Sequence, residues 1–175
     1  AQLSRGLGDV YKRQRHIHHR HIKVIFKTKC IQMLGKISFD QVVNACSQNG
    51  LRFTSSRQEI MSVLINSSKP KSAYQILEKI QKNSPSAKPA TVYRGLDFLC
   101  KHGFAHRIES NNAYVACASS SDCNSAQFLI CESCDKTFEF HSHKFSNEIS
   151  DHAKKENFTI THKMLEIKGI CRECR

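Results

Sequence analysis

Apolar residues in the first half of the chain recur at the three- and four-residue spacing of amphipathic helices. The first such stretch covers residues 38–48 and is followed by Gly50, a common helix stop. A second predicted helix opens at Ser56-Arg57-Gln58-Glu59, which fits a capping box. Two more are predicted, one from Ser72 and one from residue 89 or 90 to residue 102, with Pro89 in its first turn. The pattern therefore predicts four consecutive helices.

After Gly103 the apolar spacing changes to that of short strands. The runs 104–108 and 113–117 flank Ser110-Asn111-Asn112, whose Asn residues tolerate the left-handed geometry of a tight turn. Helices followed by a hairpin predict a winged helix-turn-helix domain over residues 33–117. In such a domain the fourth helix would enter the major groove of DNA.

A run of small and polar residues, 118–126, follows the hairpin and predicts a hinge. Beyond it the pattern predicts strands over 127–131, 136–140 and 159–167 and a helix over 143–156. Residues 127–175 are thus expected to form a small α+β domain, and the whole chain belongs to the α+β class. A core of about fifty residues usually needs a metal ion or an oligomeric partner to be stable.

The charge of the chain is basic and unevenly distributed. The formal net charge is +12 over 175 residues, and residues 1–32 hold eight of the 27 Lys and Arg and four of the ten His against one acidic residue. Three interpretations of this segment are open: a basic arm that touches DNA, a metal-binding His tract, or non-native sequence. The run Gly6–Gln14 resembles translated adapter sequence and favours the third, with Met33 as the natural initiator. We therefore expect residues 1–32 to be a non-native or disordered basic tail and leave them out of the fold prediction.

Two CxxC pairs predict a zinc site. Cys131-x2-Cys134 and Cys171-x2-Cys174 each present two thiolates at the end of a predicted strand, and two pairs complete a tetrahedral four-cysteine site. Two disulfides are the alternative. The sequence has neither a signal-peptide pattern nor an apolar run of ~18 residues, so we expect a cytoplasmic protein outside the membrane whose cysteines stay reduced. Zinc held by all four cysteines is structural, because no position stays open for catalysis.

The other cysteines after residue 33 divide into two groups. Cys46 and Cys100 lie on predicted helix faces and are expected in the core. Cys117 and Cys123 bracket the polar hinge, near His106 on the predicted hairpin. A second metal site that joins the hairpin to the C-terminal domain would explain cysteines at a hinge. A thiol redox switch made by Cys117 and Cys123 is the alternative.

Several of these features occur in an order typical of one family. The run Ala90-Thr91-Val92-Tyr93-Arg94-Gly95-Leu96-Asp97-Phe98-Leu99, the run Gly103–Ser110, the hinge and both CxxC pairs resemble the ferric uptake regulator superfamily, most closely its zinc uptake regulator branch. The resemblance covers about residues 36–175. It implies a dimeric, metal-dependent repressor whose winged helix binds palindromic, A·T-rich operators and whose residues 127–175 form the dimerisation domain.

The resemblance also implies two zinc ions per protomer. The structural ion would be held by Cys131, Cys134, Cys171 and Cys174. The regulatory site of zinc-sensing members uses a His at the start of the hairpin, a Cys at its end and a His in the hinge. Its fourth ligand is a Glu five residues past the second Cys of the first CxxC pair. These positions correspond to His106, Cys117 and Glu139, but no His lies between residues 107 and 140, so we expect Cys123 to replace the hinge His. Such a donor set suits zinc better than iron or manganese.

The positions of histidines further limit which metal the regulatory site can sense. Iron-sensing members carry a His before the third helix, where this chain has Lys71, and a His-rich run before the first CxxC pair, which is missing here. Iron sensing is therefore not expected. We expect His141, His143 and His162 to be exposed or core-edge residues rather than ligands.

The fourth helix suggests which residues touch DNA. Tyr93 and Arg94 near its N-terminus are expected to point outward, opposite Leu96, Phe98 and Leu99. Arg94 can contact a guanine edge or a phosphate, and Tyr93 a thymine methyl group. Contacts with phosphates, which fix register without reading sequence, are expected from Arg52, Arg57, Lys88 and, as an extra candidate, Lys71.

Together these features predict a zinc-responsive transcriptional repressor that binds double-stranded DNA as a homodimer and controls zinc uptake genes. An enzyme is the competing class, because Glu139 beside a Cys/His cluster could act as the general base of a zinc hydrolase. The sequence contains no HxE or HExxH motif, and we expect no catalytic activity.

Overall fold

The computed structural model describes residues 37–118, 126–161 and 163–175, whose elements form two groups. The first group contains α1 (Phe39–Gln48), α2 (Ser55–Ile65), α3 (Ala73–Gln81), α4 (Pro89–Lys101), β1 (Ala105–Ile108) and β2 (Ala113–Ala116). The second contains β3 (Gln127–Cys131), β4 (Thr137–Phe140), α5 (His143–Lys155) and β5 (Leu165–Gly169). These groups make up the predicted α+β fold. Within the described residues, every helix is too short or too polar to cross a membrane.

Serine capping boxes start α1 and α3. The Ser38 hydroxyl accepts the N–H of Gln41, whose side chain accepts the N–H of Ser38 in return. Ser72 and Gln75 make the same reciprocal pair. Each box satisfies N–H groups that the first turn of a helix leaves without partners within the helix.

The capping box predicted at Ser56 is wrong. The N-cap of α2 is Thr54, two residues earlier, and its side chain makes no capping hydrogen bond. Ser56 therefore lies inside the first turn of the helix and cannot cap it. The Glu59 carboxylate instead accepts a hydrogen bond from Ser84 Oγ at 3.2 Å, in the loop before α4.

The four helices enclose the larger core, and the hairpin covers it. Side chains that are at most 1% exposed come from every helix, among them Val42, Ile60, Leu64, Ile76, Val92, Leu96 and Leu99. The strands β1 and β2 pair antiparallel from Ala105↔Ala116 to Ile108↔Ala113, and Asn112 in the turn adopts the predicted left-handed conformation with φ 46°. The predicted helices followed by a hairpin are thus confirmed.

The second group is a three-stranded sheet of order β4-β3-β5. The strand β3 pairs antiparallel with β4 and parallel with β5, in a register that runs from Gln127↔Leu165 to Cys131↔Gly169. The strand predicted over 159–167 is therefore wrong at both ends. Pairing with β3 decides where β5 begins and ends, whereas the apolar Ile160 before it lines a cavity beside α5.

A second, smaller core joins the hairpin to the sheet. Ile108 of β1 packs with Phe128 and Ile130 of β3, and all three are at most 4% exposed. Val115 of β2 and Met164 close this cluster from its edges. The contact holds the hairpin against the sheet, and the second cluster of metal-binding side chains lies between them.

Candidate metal centres and DNA-recognition helix

The four cysteines of the CxxC pairs converge at one end of the sheet. Cys131 ends β3 and Cys171 follows β5, and the parallel register of these strands brings the two pairs together. All four sulfur atoms lie within 4.8 Å of one another, with 3.7 Å between Cys134 Sγ and Cys171 Sγ. An ion pair between Lys136 and Glu173 ties the two turns on their outer side.

The electrostatics of this cluster favour a bound cation. The backbone N–H of Cys171 donates to the Cys131 sulfur and lowers the pKa of this thiol to about 6. Hydrogen bonds with the thiols of Cys171 and Cys134 raise the pKa of Cys174 to about 12. Four thiolates cannot form side by side without a compensating charge, and a tetrahedral four-sulfur set is the preferred environment of zinc.

A second cluster lies between the hairpin and the sheet. It contains His106 of β1, Cys117 directly after β2 and Glu139 of β4, whose ligand atoms all lie within 4.8 Å of one another. Glu139 Oε1 is 3.4 Å from His106 Nε2 and 3.7 Å from Cys117 Sγ. These side chains are 9%, 0% and 6% exposed, so the cluster is nearly closed to water. The nitrogen, sulfur and oxygen donors suit zinc, which accepts all three.

Local packing explains how these side chains are held. The His106 ring packs edge-on against Phe128, with 5.3 Å between ring centroids. The N–H of Cys117 donates to the carbonyl of Phe104 at 3.0 Å, which fixes the residue after β2. Glu139 Oε2 accepts the N–H of Ala118 at 2.7 Å, so the carboxylate also binds the backbone where the predicted hinge begins.

The Glu139 carboxylate is strongly held in its ionised form. Burial alone would raise its pKa, but hydrogen bonds with His106 and His141 and the N–H of Ala118 lower it to about 2. An ionised carboxylate between an imidazole and a thiol is ready to bind a divalent cation.

His141 lies beside this cluster, at the edge of the core, and its contact with Glu139 was not predicted. Its Nε2 is 3.0 Å from Glu139 Oε1, and its side chain is 19% exposed. The spacing of two residues was the available signal, since it keeps two side chains on one side of an extended segment. His143, in contrast, is exposed at the start of α5, as expected.

The predicted fourth ligand, Cys123, lies outside the described residues, as do His162 and the basic tail 1–32. The predicted redox pair of Cys117 with Cys123 stays a prediction, because Cys123 lies outside the described residues. Of the two predicted core cysteines, Cys46 is 2% exposed and Cys100 is half-buried, with a thiol pKa that burial raises to about 12.

The helix α4 exposes the residues predicted to contact DNA. Tyr93 is 39% exposed and Arg94 is also exposed, whereas Val92, Leu96 and Leu99 are buried on the other side. Gly95 faces α2, where an added Cβ would overlap Ile60 Cδ1. The small residue therefore lets α4 lie close against α2.

The cations around α4 differ in their environment. Lys88 directly before α4 and Arg52 before α2 are exposed. Arg57 is half-buried: its guanidinium lies 3.7 Å above the centre of the Phe98 ring and donates to the carbonyl of Arg52. Phe98 was expected on the buried side, but it is half-buried beneath this arginine. Arg57 thus has a packing role besides any contact with DNA.

Comparison with known proteins agrees with these features. The sequence model of the ferric uptake regulator family matches residues 48–168. The zinc uptake regulation protein of Escherichia coli (strain K12) is 33% identical over 135 residues, which cover 77% of this chain and 79% of that protein. The peroxide-responsive repressor PerR of Staphylococcus aureus (strain Mu50) is 30% identical over 139 residues, which cover 78% of this chain and 90% of PerR.

Two solved structures are also similar. One is a zinc uptake regulator complexed with zinc and DNA, with a TM-score of 0.75 and 32% identity, which covers 78% of this chain and 91% of its own. The other is holo XcZur, with a TM-score of 0.73 and 35% identity, which covers 78% of this chain and 95% of its own. The family match, the similar regulators and the geometry of both clusters agree. This chain therefore belongs to the ferric uptake regulator family, in its zinc uptake regulator branch.

Proposed function

We propose that this chain is a zinc-responsive transcriptional repressor that binds A·T-rich palindromic operators as a homodimer and controls zinc uptake genes. The observation that carries the proposal is the placement of His106 and Cys117 on the hairpin and of Glu139 on the sheet, in one nearly buried cluster. A cation bound there joins the DNA-binding unit to the second domain. The solved relative with both zinc and DNA supports the same role. A repressor of this kind acts on DNA, and we expect the chain in the cytoplasm.

Two zinc ions per protomer are proposed, with separate roles. The first is held by Cys131, Cys134, Cys171 and Cys174 and is structural, since four protein ligands complete its coordination. The second is regulatory, held by His106, Cys117 and Glu139 with Cys123 as the fourth ligand. Within this arrangement residues 33–117 form the DNA-binding domain, 118–126 the hinge and 127–175 the dimerisation domain.

The outer face of the sheet supports homodimer formation. Leu129, Phe138 and Ile167 lie side by side across the three strands, since Leu129 pairs with Phe138 on one side and with Ile167 on the other. All three are between 41% and 44% exposed in the single chain. A row of large apolar side chains on an open sheet is stabilised when a second copy covers it.

The DNA-binding surface is proposed to centre on Tyr93 and Arg94, with phosphate contacts from Arg52, Arg57 and Lys88. Residues after Met33 carry a net charge of +5, and a dimer doubles this charge on one side of the assembly. Lys88 stands directly before α4, and the amide groups at a helix N-terminus add to the attraction of phosphate.

The mechanism follows from the position of the second cluster. His106, Cys117 and Glu139 would hold zinc there, and its divalent charge would keep imidazole, thiolate and carboxylate together. His106 and Cys117 on the hairpin would then stay against Glu139, which restricts the angle between hairpin and sheet. The two recognition helices of the dimer are thereby spaced for successive major grooves. The ion can favour this angle only if it binds that arrangement more tightly than the others. By linkage, DNA binding must then raise the affinity for zinc.

The test is fluorescence anisotropy of a labelled A·T-rich palindrome against the full chain at buffered free zinc. We expect binding to appear only as the second zinc equivalent loads. Binding that does not depend on zinc would make the His106–Cys117–Glu139 cluster structural. Absence of binding to any related operator would reopen the redox and hydrolase alternatives. Metal content under reducing conditions separates the switch from the regulator, because one tightly held zinc favours the switch and two favour the regulator.

A further inference from the structure

We infer that His141 is a positioning residue of the second metal centre, which fixes the Glu139 carboxylate by a hydrogen bond and does not bind the ion itself. This inference rests on the proposed function of that centre. The geometry behind it is the distance of 3.0 Å from His141 Nε2 to Glu139 Oε1, the oxygen that also faces His106 and Cys117.

The contacts of the carboxylate show which group His141 acts on. Glu139 Oε1 is 3.0 Å from His141 Nε2, nearer than its 3.4 Å to His106 Nε2 or its 3.7 Å to Cys117 Sγ. His141 Nε2 is therefore aimed at the carboxylate oxygen, a hydrogen-bond acceptor.

His141 also stands outside the set of atoms that can share one ion. The ligand atoms of His106, Cys117 and Glu139 lie within 4.8 Å of one another, and His141 is not a member of that cluster. Its role resembles that of the groups that commonly surround metal ligands, which orient a carboxylate or imidazole and set its basicity.

The two oxygens of Glu139 are held in different ways. Oε2 accepts the N–H of Ala118, at the start of the hinge, and that bond depends on how the two domains are oriented. Oε1 accepts from His141, two residues further along the same chain segment, and that bond belongs to the second domain alone. His141 can therefore keep the carboxylate aimed at the site when the hairpin moves away, which lowers the entropic cost of binding the ion.

The test measures the affinity of the second zinc by competition with a chelating indicator, using the full chain with its four-cysteine site already loaded. We expect H141A to bind this zinc about 10–100-fold more weakly than the parent. H141Q, whose amide N–H can donate to the same oxygen, is expected to bind it at the parental level. H143A changes an exposed histidine two residues away and serves as the matched control.

Cobalt(II) spectra of the second centre provide the independent readout. If His141 acts only on Glu139, the ligand-field and thiolate charge-transfer bands of H141Q coincide with those of the parent. A weakened H141Q with shifted bands would make His141 a ligand and overturn the inference. An H141A variant that binds the second zinc with parental affinity would also overturn the inference. So would an H141A variant that loses the zinc of the four-cysteine site as well. If the parent itself takes up no second zinc, the proposed function fails rather than this inference alone.

Discussion

The Glu166 carboxylate on β5 accepts the backbone N–H of Glu109 in the hairpin, 57 residues earlier, at 2.6 Å. Its other oxygen accepts the N–H of Ser110 at 3.2 Å. Both N–H groups open the short 3₁₀ turn Glu109–Asn111, where they have no partner within the turn. The contact therefore attaches the hairpin to the sheet through protein groups alone, at a point separate from the second metal cluster.

Removal of this carboxylate tests the attachment. E166A is expected to lower the free energy of unfolding by about 1 kcal/mol, because two partly solvated N–H groups lose a charged acceptor. Urea denaturation of the zinc-loaded protein measures the change. E156A, which alters an exposed glutamate at the end of α5, serves as the control. Equal stability of E166A and the parent would mean that the contact contributes nothing in solution.

Cys117→Ser is expected to remove the second zinc and to leave the first. The side chain is fully buried beside Glu139, and serine keeps its size while losing the thiolate that binds zinc. Elemental analysis should find one zinc per protomer in place of two, gel filtration should find an intact dimer, and zinc-dependent DNA binding should be lost. C100S, in the other core, should retain two zinc ions. An unfolded C117S would assign Cys117 to the structural set.

The pH dependence of Glu139 can be predicted with its sign. Its pKa lies near 2 in the folded chain, below the ordinary value of 4.5. A carboxyl with a lowered pKa stabilises the fold above about pH 4.5, and the contribution, at most about 3 kcal/mol, is lost as the pH falls from 4.5 towards 2. Carboxyl carbon NMR without metal in the second centre, with the signal assigned by E139Q, should find Glu139 still ionised at pH 4. A midpoint near 4.5 would contradict the hydrogen-bond network around it.

Two arginines near the DNA-binding helix are expected to differ on mutation. R94A should weaken operator binding by about 5- to 150-fold, since one good base contact contributes about 1–3 kcal/mol, and should leave unfolding unchanged. R57A should also lower the free energy of unfolding, by about 0.5–1 kcal/mol, because its guanidinium stacks on Phe98. Anisotropy and thermal unfolding of the same samples separate the two effects. Identical stability of both variants would show that the stacking is not formed in solution.

The close approach of α4 to α2 is tested at Gly95. G95A is expected to destabilise the fold by about 1–3 kcal/mol, because the added methyl overlaps Ile60 Cδ1 in a full core, and part of this loss is offset by the better helix propensity of alanine. I60V removes the overlapped methyl group, so the double variant should recover part of the loss in a double-mutant cycle. Strict additivity of the two changes would contradict this packing.

The helices, the hairpin and the four-cysteine cluster could be predicted because each depends on short spacings along the chain. The three- and four-residue apolar period identified α1 to α4, and the left-handed Asn112 lies in the turn that Ser110-Asn111-Asn112 predicted. The capping box at Ser56 failed because the helix starts at Ser55, so Ser56 lies within its first turn. The third strand failed because its bounds follow from pairing with β3, which no local period records.

The sequence by itself determined the order of the elements, the donor types at His106, Cys117 and Glu139, and the exposure of Tyr93 and Arg94. The order of the elements and the exposure of Tyr93 and Arg94 follow from the fixed periods of helix and strand, whereas the donor set was identified through the resemblance to the family. Only the tertiary structure decided what surrounds the Glu139 carboxylate: His141 on one oxygen, Ala118 on the other. That arrangement depends on how Ile108 packs against Phe128 and Ile130, and the packing of two units over a shared apolar core is a property of their shapes.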